Sequence, residues 1–265
     1  MKSLAVLAAA LPVLAAAGCG SQAPAGAISV SVPGAVPAAQ ASSVAAQQGP
    51  STTGSTQPTK PPGGTPASSV EALRPAIHQW PIPFGAARKR QMAAYSLRHY
   101  GEATYVLSRP KVIVEHYTET ATALQAFNTF APDVPDSEFH ELPNTCAHFL
   151  VEPSGRIDQL VPLAIRCRHT TGLNWTAIGI ENVGFSDQEI LGDHEQITAS
   201  LRLTRWLRCR YGIKPVNVIG HNESLSSPYH HDRVPAFQHQ THSDWNHADM
   251  NRYRRLLARM PCPTA

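Results

Sequence analysis

The distribution of charge limits this chain more than any single motif does. No acidic residue precedes Glu71, and only Lys2 and Lys60 are basic before it. From Gly20 to Ala67 the sequence is dominated by Ala, Ser, Pro, Gly, Gln and Thr, with one charge and no aromatic ring. Such a stretch cannot bury enough apolar surface to offset its ordering entropy, so residues 20–70 are expected to be a disordered tether. As a flexible chain, the tether would reach about 35–40 Å. A folded core must therefore come from residues 71–265, where 20 basic and 19 acidic residues nearly cancel. The formal net charge of +3 is thus no basic footprint, and a nucleic-acid partner is excluded. About 195 residues are enough for one domain with a real core.

The first nineteen residues read as an address. A short positive end at Met1–Ser3 is followed by an apolar run from Leu4 to Ala17. That run is too short for a bilayer core of ~30 Å but suits a secretory signal. It ends in small residues before Cys19, which resembles a bacterial lipoprotein processing box, with Ala16 where Leu is usual. The expectation is an exported protein, lipid-anchored through Cys19 to the extracytoplasmic face of a membrane. Cys146, Cys167, Cys209 and Cys262 then form an even set in an exported domain, which predicts two disulfides with three possible connectivities. Cys146–Cys167 and Cys209–Cys262 are favoured because sequence neighbours close shorter loops, the last two being expected on helices near the C-terminus.

Helices are expected at Arg88–Tyr100, closed by Gly101, at Thr120–Phe130 with Leu124, Phe127 and Phe130 at helical spacing, and at Asp249–Met260. Asp193 caps a further helix to Tyr211, with Gln196 in the capping-box position and Ile197, Leu201, Thr204 and Leu207 facing inward. Strands are expected at Lys111–Thr118, Ala177–Val183 and Val216–Gly220, with a hairpin pairing residues 147–151 and 156–161. Alternating strands and helices with one hairpin predict an α/β domain, a central mixed β-sheet flanked by helices.

Chemistry gathers at strand ends. His116 ends VIVEH, His221 ends VNVIGH, and Glu181 ends AIGIE. Two imidazoles and a carboxylate or thiolate are the usual protein ligands of catalytic zinc, which keeps a fourth position open. No GxSxG stands in the chain and no cysteine has a reactive context, which argues against a serine or cysteine hydrolase.

The ordered set HYT, AHFLVEPSGRIDQLVP, AIGIEN and VIGHNE resembles the amidase-2 superfamily, which includes zinc N-acetylmuramoyl-L-alanine amidases and peptidoglycan-recognition proteins. The resemblance covers about residues 110–260 and makes 71–265 a zinc amidase domain. It implies His116 and His221 as metal ligands for Zn2+, and Glu181 as the glutamate acting on the attacking water. The family places a third ligand shortly after the second histidine. Two segments offer one: His230-His231-Asp232 and His242-Ser243-Asp244. The second reproduces the family's His-x-Asp spacing and leads into the final helix. It makes Asp244 the ligand and His242 the group that stabilises the oxyanion. His148 and His169 lie in segments that often line the family's groove, while His230, His231, His239 and His247 are read as solvated loop histidines. The implied partner is peptidoglycan or a muropeptide, bound by a monomer and cleaved between muramic acid and L-alanine. The alternative is a non-catalytic peptidoglycan-binding lipoprotein of the same fold.

Overall fold

A computed structural model describes residues 69–263. The expected signal segment, Cys19 and the tether up to residue 68 lie outside the described residues. The β-branched run at Val112–Tyr117 forms strand β2, with every residue but the last buried. It pairs in parallel with β5 (Ala177–Asn182) on one side and β6 (Val218–Gly220) on the other. Beyond β5 come β3 (Phe149–Val151), β4 (Ile157–Gln159) and β1 (His78–Gln79), giving the order β1-β4-β3-β5-β2-β6. Among the described strands of this sheet, only β3 and β4, the hairpin, run antiparallel. The sheet is mixed, as expected.

Side chains alternate along a strand, so neighbouring residues of β2 serve opposite faces. Ile113 packs with Ile178, Ile180 and Phe149 under α4 (His194–Tyr211) and α5 (His247–Ala258). Glu115 points the same way and is held by Thr204 of α4, Asn182 of β5 and Tyr253 of α5. Val112 and Val114 pack on the other face with Leu173 and Ala177. His116 follows that second register, and α1 spans Ala86–Tyr100. Asp193 caps α4 by accepting a hydrogen bond from the Gln196 backbone.

Several expectations needed correction. Gln196 does not reach back to close a capping box; its amide donates to the Val151 and Val183 carbonyls, tying α4 to the ends of two strands. The helix expected at Thr120 is α2 (Ala123–Phe130), because Thr122 is its N-cap. Its inner face is Ala123, Ala126 and Phe130, whereas Leu124 is exposed and Phe127 stacks on Trp80. The last strand is shorter at its start, since Pro215–Asn217 forms a turn of 3-10 helix. The last helix starts earlier, at His247, with the Asn246 side chain capping it, and it ends at Ala258. A short helix α3 (Asp187–Gly192) and the two-residue β1 had no sequence expectation. Both disulfides pair as favoured, although Cys262 lies past the end of α5 rather than on a helix.

Candidate metal centre and cleft

Parallel registration builds the site. His116 stands opposite Glu181 on β5, and Glu115 stands opposite Gly220 on β6. The next residue, His221, opens a turn of 3-10 helix, so its imidazole leaves the sheet beside His116. The two rings meet edge to face with centroids 4.7 Å apart.

Asp244 arrives from the loop before α5. Its Oδ2 lies 3.0 Å from His116 Nδ1 and its Oδ1 lies 3.3 Å from His221 Nδ1. One candidate ligand atom from each of the three residues falls within 4.8 Å of the others. Three features hold the loop over the strand end. The Asp244 carbonyl accepts a hydrogen bond from the Asn222 backbone, and Thr241 Oγ1 donates to the His221 carbonyl. The Asp187 carboxylate at the start of α3 accepts from the backbones of Trp245 and Asn246. Gly220 supplies the room: a Cβ there would come within 2.0 Å of the Trp245 carbonyl oxygen. The glycine of VIGH thus permits a close approach of backbone to backbone.

The electrostatics follow from burial and pairing. Burial alone would raise the Asp244 carboxyl, but hydrogen bonds from His116 and His221 hold it far below the usual carboxylate range. Burial lowers His221 to about 4, which keeps it a neutral donor of an electron pair. His116 goes the other way: burial lowers it, yet Asp244 and Glu181 together raise it. Glu181, almost fully buried with Oε2 unpaired, is raised to about 7 by desolvation. A carboxyl so placed can both accept and return a proton near neutrality.

His116, His221, Asp244, Glu181 and His242 all line one open cleft of about 210 Å³. His242 is exposed at the rim, its ring 4.8 Å from that of His221 and its Nε2 3.1 Å from Glu138 Oε2. A second depression of about 330 Å³ shares His169, Arg168, Glu138 and His242 with the first and extends the cleft toward Tyr95 and Asn174. The structure does not bring Asp232 to this place. It is buried against His99, 2.8 Å from Nδ1. His148 is buried in the sheet with both ring nitrogens paired, and burial lowers it to about 4. His231, His239 and His247 are exposed; His230 is only partly so, with Nε2 shielded and unpaired. The sequence reading missed Tyr117, Glu138 and Arg168 as lining residues. Tyr117 stood in the HYT motif and Arg168 between Cys167 and His169, whereas Glu138 carried no local signal.

A family model described as N-acetylmuramoyl-L-alanine amidase matches residues 107–246, more than half of the chain. No curated protein matches significantly. Among solved structures, the endolysin amidase LysCS from Clostridium intestinale is 21% identical over 52% of this chain and 77% of its own, with a TM-score of 0.35. A substrate complex of the amidase AmiD from E. coli is 29% identical over 44% of this chain and 50% of its own, at TM-score 0.34. An AmpD derivative is 18% identical over 67% of this chain and 93% of its own, at TM-score 0.43. These superpositions are weak, and the family model carries the assignment. The chain belongs to the amidase-2 family of N-acetylmuramoyl-L-alanine amidases.

Proposed function

We propose that the enzyme uses zinc to hydrolyse the amide between N-acetylmuramic acid and L-alanine in peptidoglycan or muropeptides. The observation that carries the metal reading is the convergence of two imidazole Nδ1 atoms on the two oxygens of Asp244, beside an unpaired buried carboxyl. The donor set fits: two imidazoles and one carboxylate are the three protein ligands of an open catalytic zinc site. His116, His221 and Asp244 would hold the ion. When bound, zinc brings the pKa of its water toward ~7 and polarises the scissile carbonyl.

The chain's own residues supply the rest. Glu181 takes a proton from the attacking water as the new C–O bond forms. As the C–N bond breaks, Glu181 passes that proton to the leaving α-amine of L-alanine. His242, at the rim beside His221, donates to the oxyanion that develops on the former carbonyl oxygen. The cleft retains a complete set of hydrolytic groups, which disfavours the receptor-like alternative.

Glu181→Gln should keep zinc and lose turnover of a muropeptide by about 10²–10⁴-fold, the range for a general acid–base group. A wild-type protein that holds stoichiometric zinc yet releases no peptide from muropeptides or sacculi would refute the hydrolase reading. The export reading rests on Leu4–Ala17 and the small residues before Cys19, and the two disulfides accord with an oxidising compartment. Cys19→Ala should move the protein from the membrane fraction to the soluble one. Anchored through Cys19, the wild-type enzyme would act as a monomer on the extracytoplasmic face of that membrane.

A further inference from the structure

The first metal-ligand histidine has a second nitrogen, and what that nitrogen meets decides which ring atom is free to bind. His116 Nε2 lies 3.2 Å from His169 Nδ1 and 3.3 Å from Thr170 Oγ1. His169 Nε2 in turn lies 3.4 Å from the Ala177 carbonyl oxygen. A carbonyl oxygen only accepts, so His169 Nε2 carries the proton and, in the neutral ring, His169 Nδ1 carries the lone pair. Two unprotonated ring nitrogens 3.2 Å apart would repel. The contact therefore requires a proton on His116 Nε2. In the metal-free protein His116 Nδ1 also donates, to Asp244 Oδ2; a metal would displace that proton and leave the lone pair on Nδ1 while Nε2 stays protonated.

We propose that His169 is a positioning residue: it accepts from His116 Nε2 and so fixes the tautomer that presents Nδ1 to the metal. The proposal rests on the metal reading of the His116–His221–Asp244 group. Partners on the far nitrogen of a ligating histidine orient the ring and raise its basicity. Here the partner is itself held on two sides. The Ala177 carbonyl fixes its Nε2, and Gly179 makes room for its ring: a Cβ at Gly179 would come within 2.5 Å of His169 Cγ. The glycine of AIGIE thus serves a slot in which the second imidazole lies. His148 closes the far side, its ring edge-on to that of His169 at 5.7 Å between centroids. The Gly179 backbone donates to His148 Nδ1, and His148 Nε2 donates to the Ile165 carbonyl, so this wall is locked in one tautomer as well.

Three variants of the full-length protein separate the acceptor from the bulk. His169→Leu fills the slot without an acceptor. His169→Asn places a carboxamide oxygen near the position of Nδ1. Gly179→Ala leaves His169 in the sequence but expels its ring. Zinc affinity is measured by competition with a chromophoric chelator, alongside kcat and KM on a muropeptide and the melting temperature of each metal-free protein. His169→Leu and Gly179→Ala should weaken zinc by about 10–100-fold, and His169→Asn should restore most of that loss. Nitrogen-15 NMR of the zinc-loaded wild type should show both His116 and His169 protonated at Nε2.

Wild-type zinc affinity in the Leu and Ala variants would overturn the proposal, as would equal losses for Leu and Asn. A raised KM with unchanged zinc affinity would assign His169 to substrate contact instead. A proton on His169 Nδ1 would also overturn it. If His169→Leu fails to fold, the contrast of His169→Asn with Gly179→Ala decides. Failure of the wild type to bind zinc would refute the metal reading itself, a separate result.

Discussion

Two histidine–aspartate pairs in this molecule have the same chemistry and opposite fates. In one, His99 Nδ1 lies 2.8 Å from Asp232, and Nε2 lies 3.0 Å from Glu141. In the other, His116 Nδ1 lies 3.0 Å from Asp244, while Nε2 meets a neutral imidazole. The distances barely differ. What differs is saturation and access. His99 has a carboxylate on each nitrogen, so both must donate and the ring must be an imidazolium. Its side chain and that of Asp232 are fully buried, with Tyr95 stacked on the ring at 3.9 Å. That pair is a closed ion cluster joining α1 to two loops. Asp244 instead shares its two oxygens between two histidines at the floor of a cleft, and Nε2 of His221 is left unpaired. Two histidines that can yield their Nδ1 protons at the floor of a cleft let a cation take the place of those protons on Asp244, whereas the fully buried cluster around His99 gives a cation no way in.

The comparison breaks most decisively at the two aspartates. Asp244→Ala should abolish both zinc binding and muropeptide turnover, as should His116→Ala or His221→Ala, read by metal content and peptide release. Asp232→Ala should leave zinc affinity at the wild-type level. Retained zinc in the first variant with loss in the second would exchange the roles of the two clusters. Asp232→Ala has its own signature. His99 keeps Glu141 on Nε2 but loses the buried acceptor of its Nδ1 proton, at a cost of about 1–3 kcal/mol, which denaturant titration would detect.

Both aspartates follow a histidine-rich stretch, so composition could not tell them apart. The His-x-Asp spacing favoured Asp244, and the ends of β2 and β6 were readable because β-branched runs stop at His116 and His221. The partner that decides the matter for Asp232 was not readable, since His99 lies 133 residues away on a helix. Asp187 too is remote in sequence, 58 residues from the Trp245 backbone that it anchors. The glycines of VIGH and AIGIE were visible as motif letters, but their physical reasons are close approaches to Trp245 and His169, which only three dimensions supply. Leu124 failed for a related reason. Helical spacing marks a face, but the packing partner chooses which face is buried, and α2 turned Ala123 and Ala126 inward.

The smallest effect is a pH dependence confined to the closed cluster. Burial lowers His99, but hydrogen bonds and charges from Asp232 and Glu141 outweigh it and raise the histidine above its usual value. Arg98 and Arg168 both approach Glu141, and Tyr95, Tyr100 and Phe237 face the ring without charge at neutral pH. A group whose folded pKa exceeds the unfolded value stabilises the fold fully below the unfolded pKa, ~6.5 for histidine. That contribution fades as pH rises through the folded value. His99→Gln should therefore cost more stability at pH 6 than at pH 9, with zinc affinity at neutral pH unchanged. Urea melts of both proteins across that range test the sign. A difference that grows with pH would mean that His99 is held neutral, and the contrast between the two clusters would then lie in access to the cleft rather than in charge.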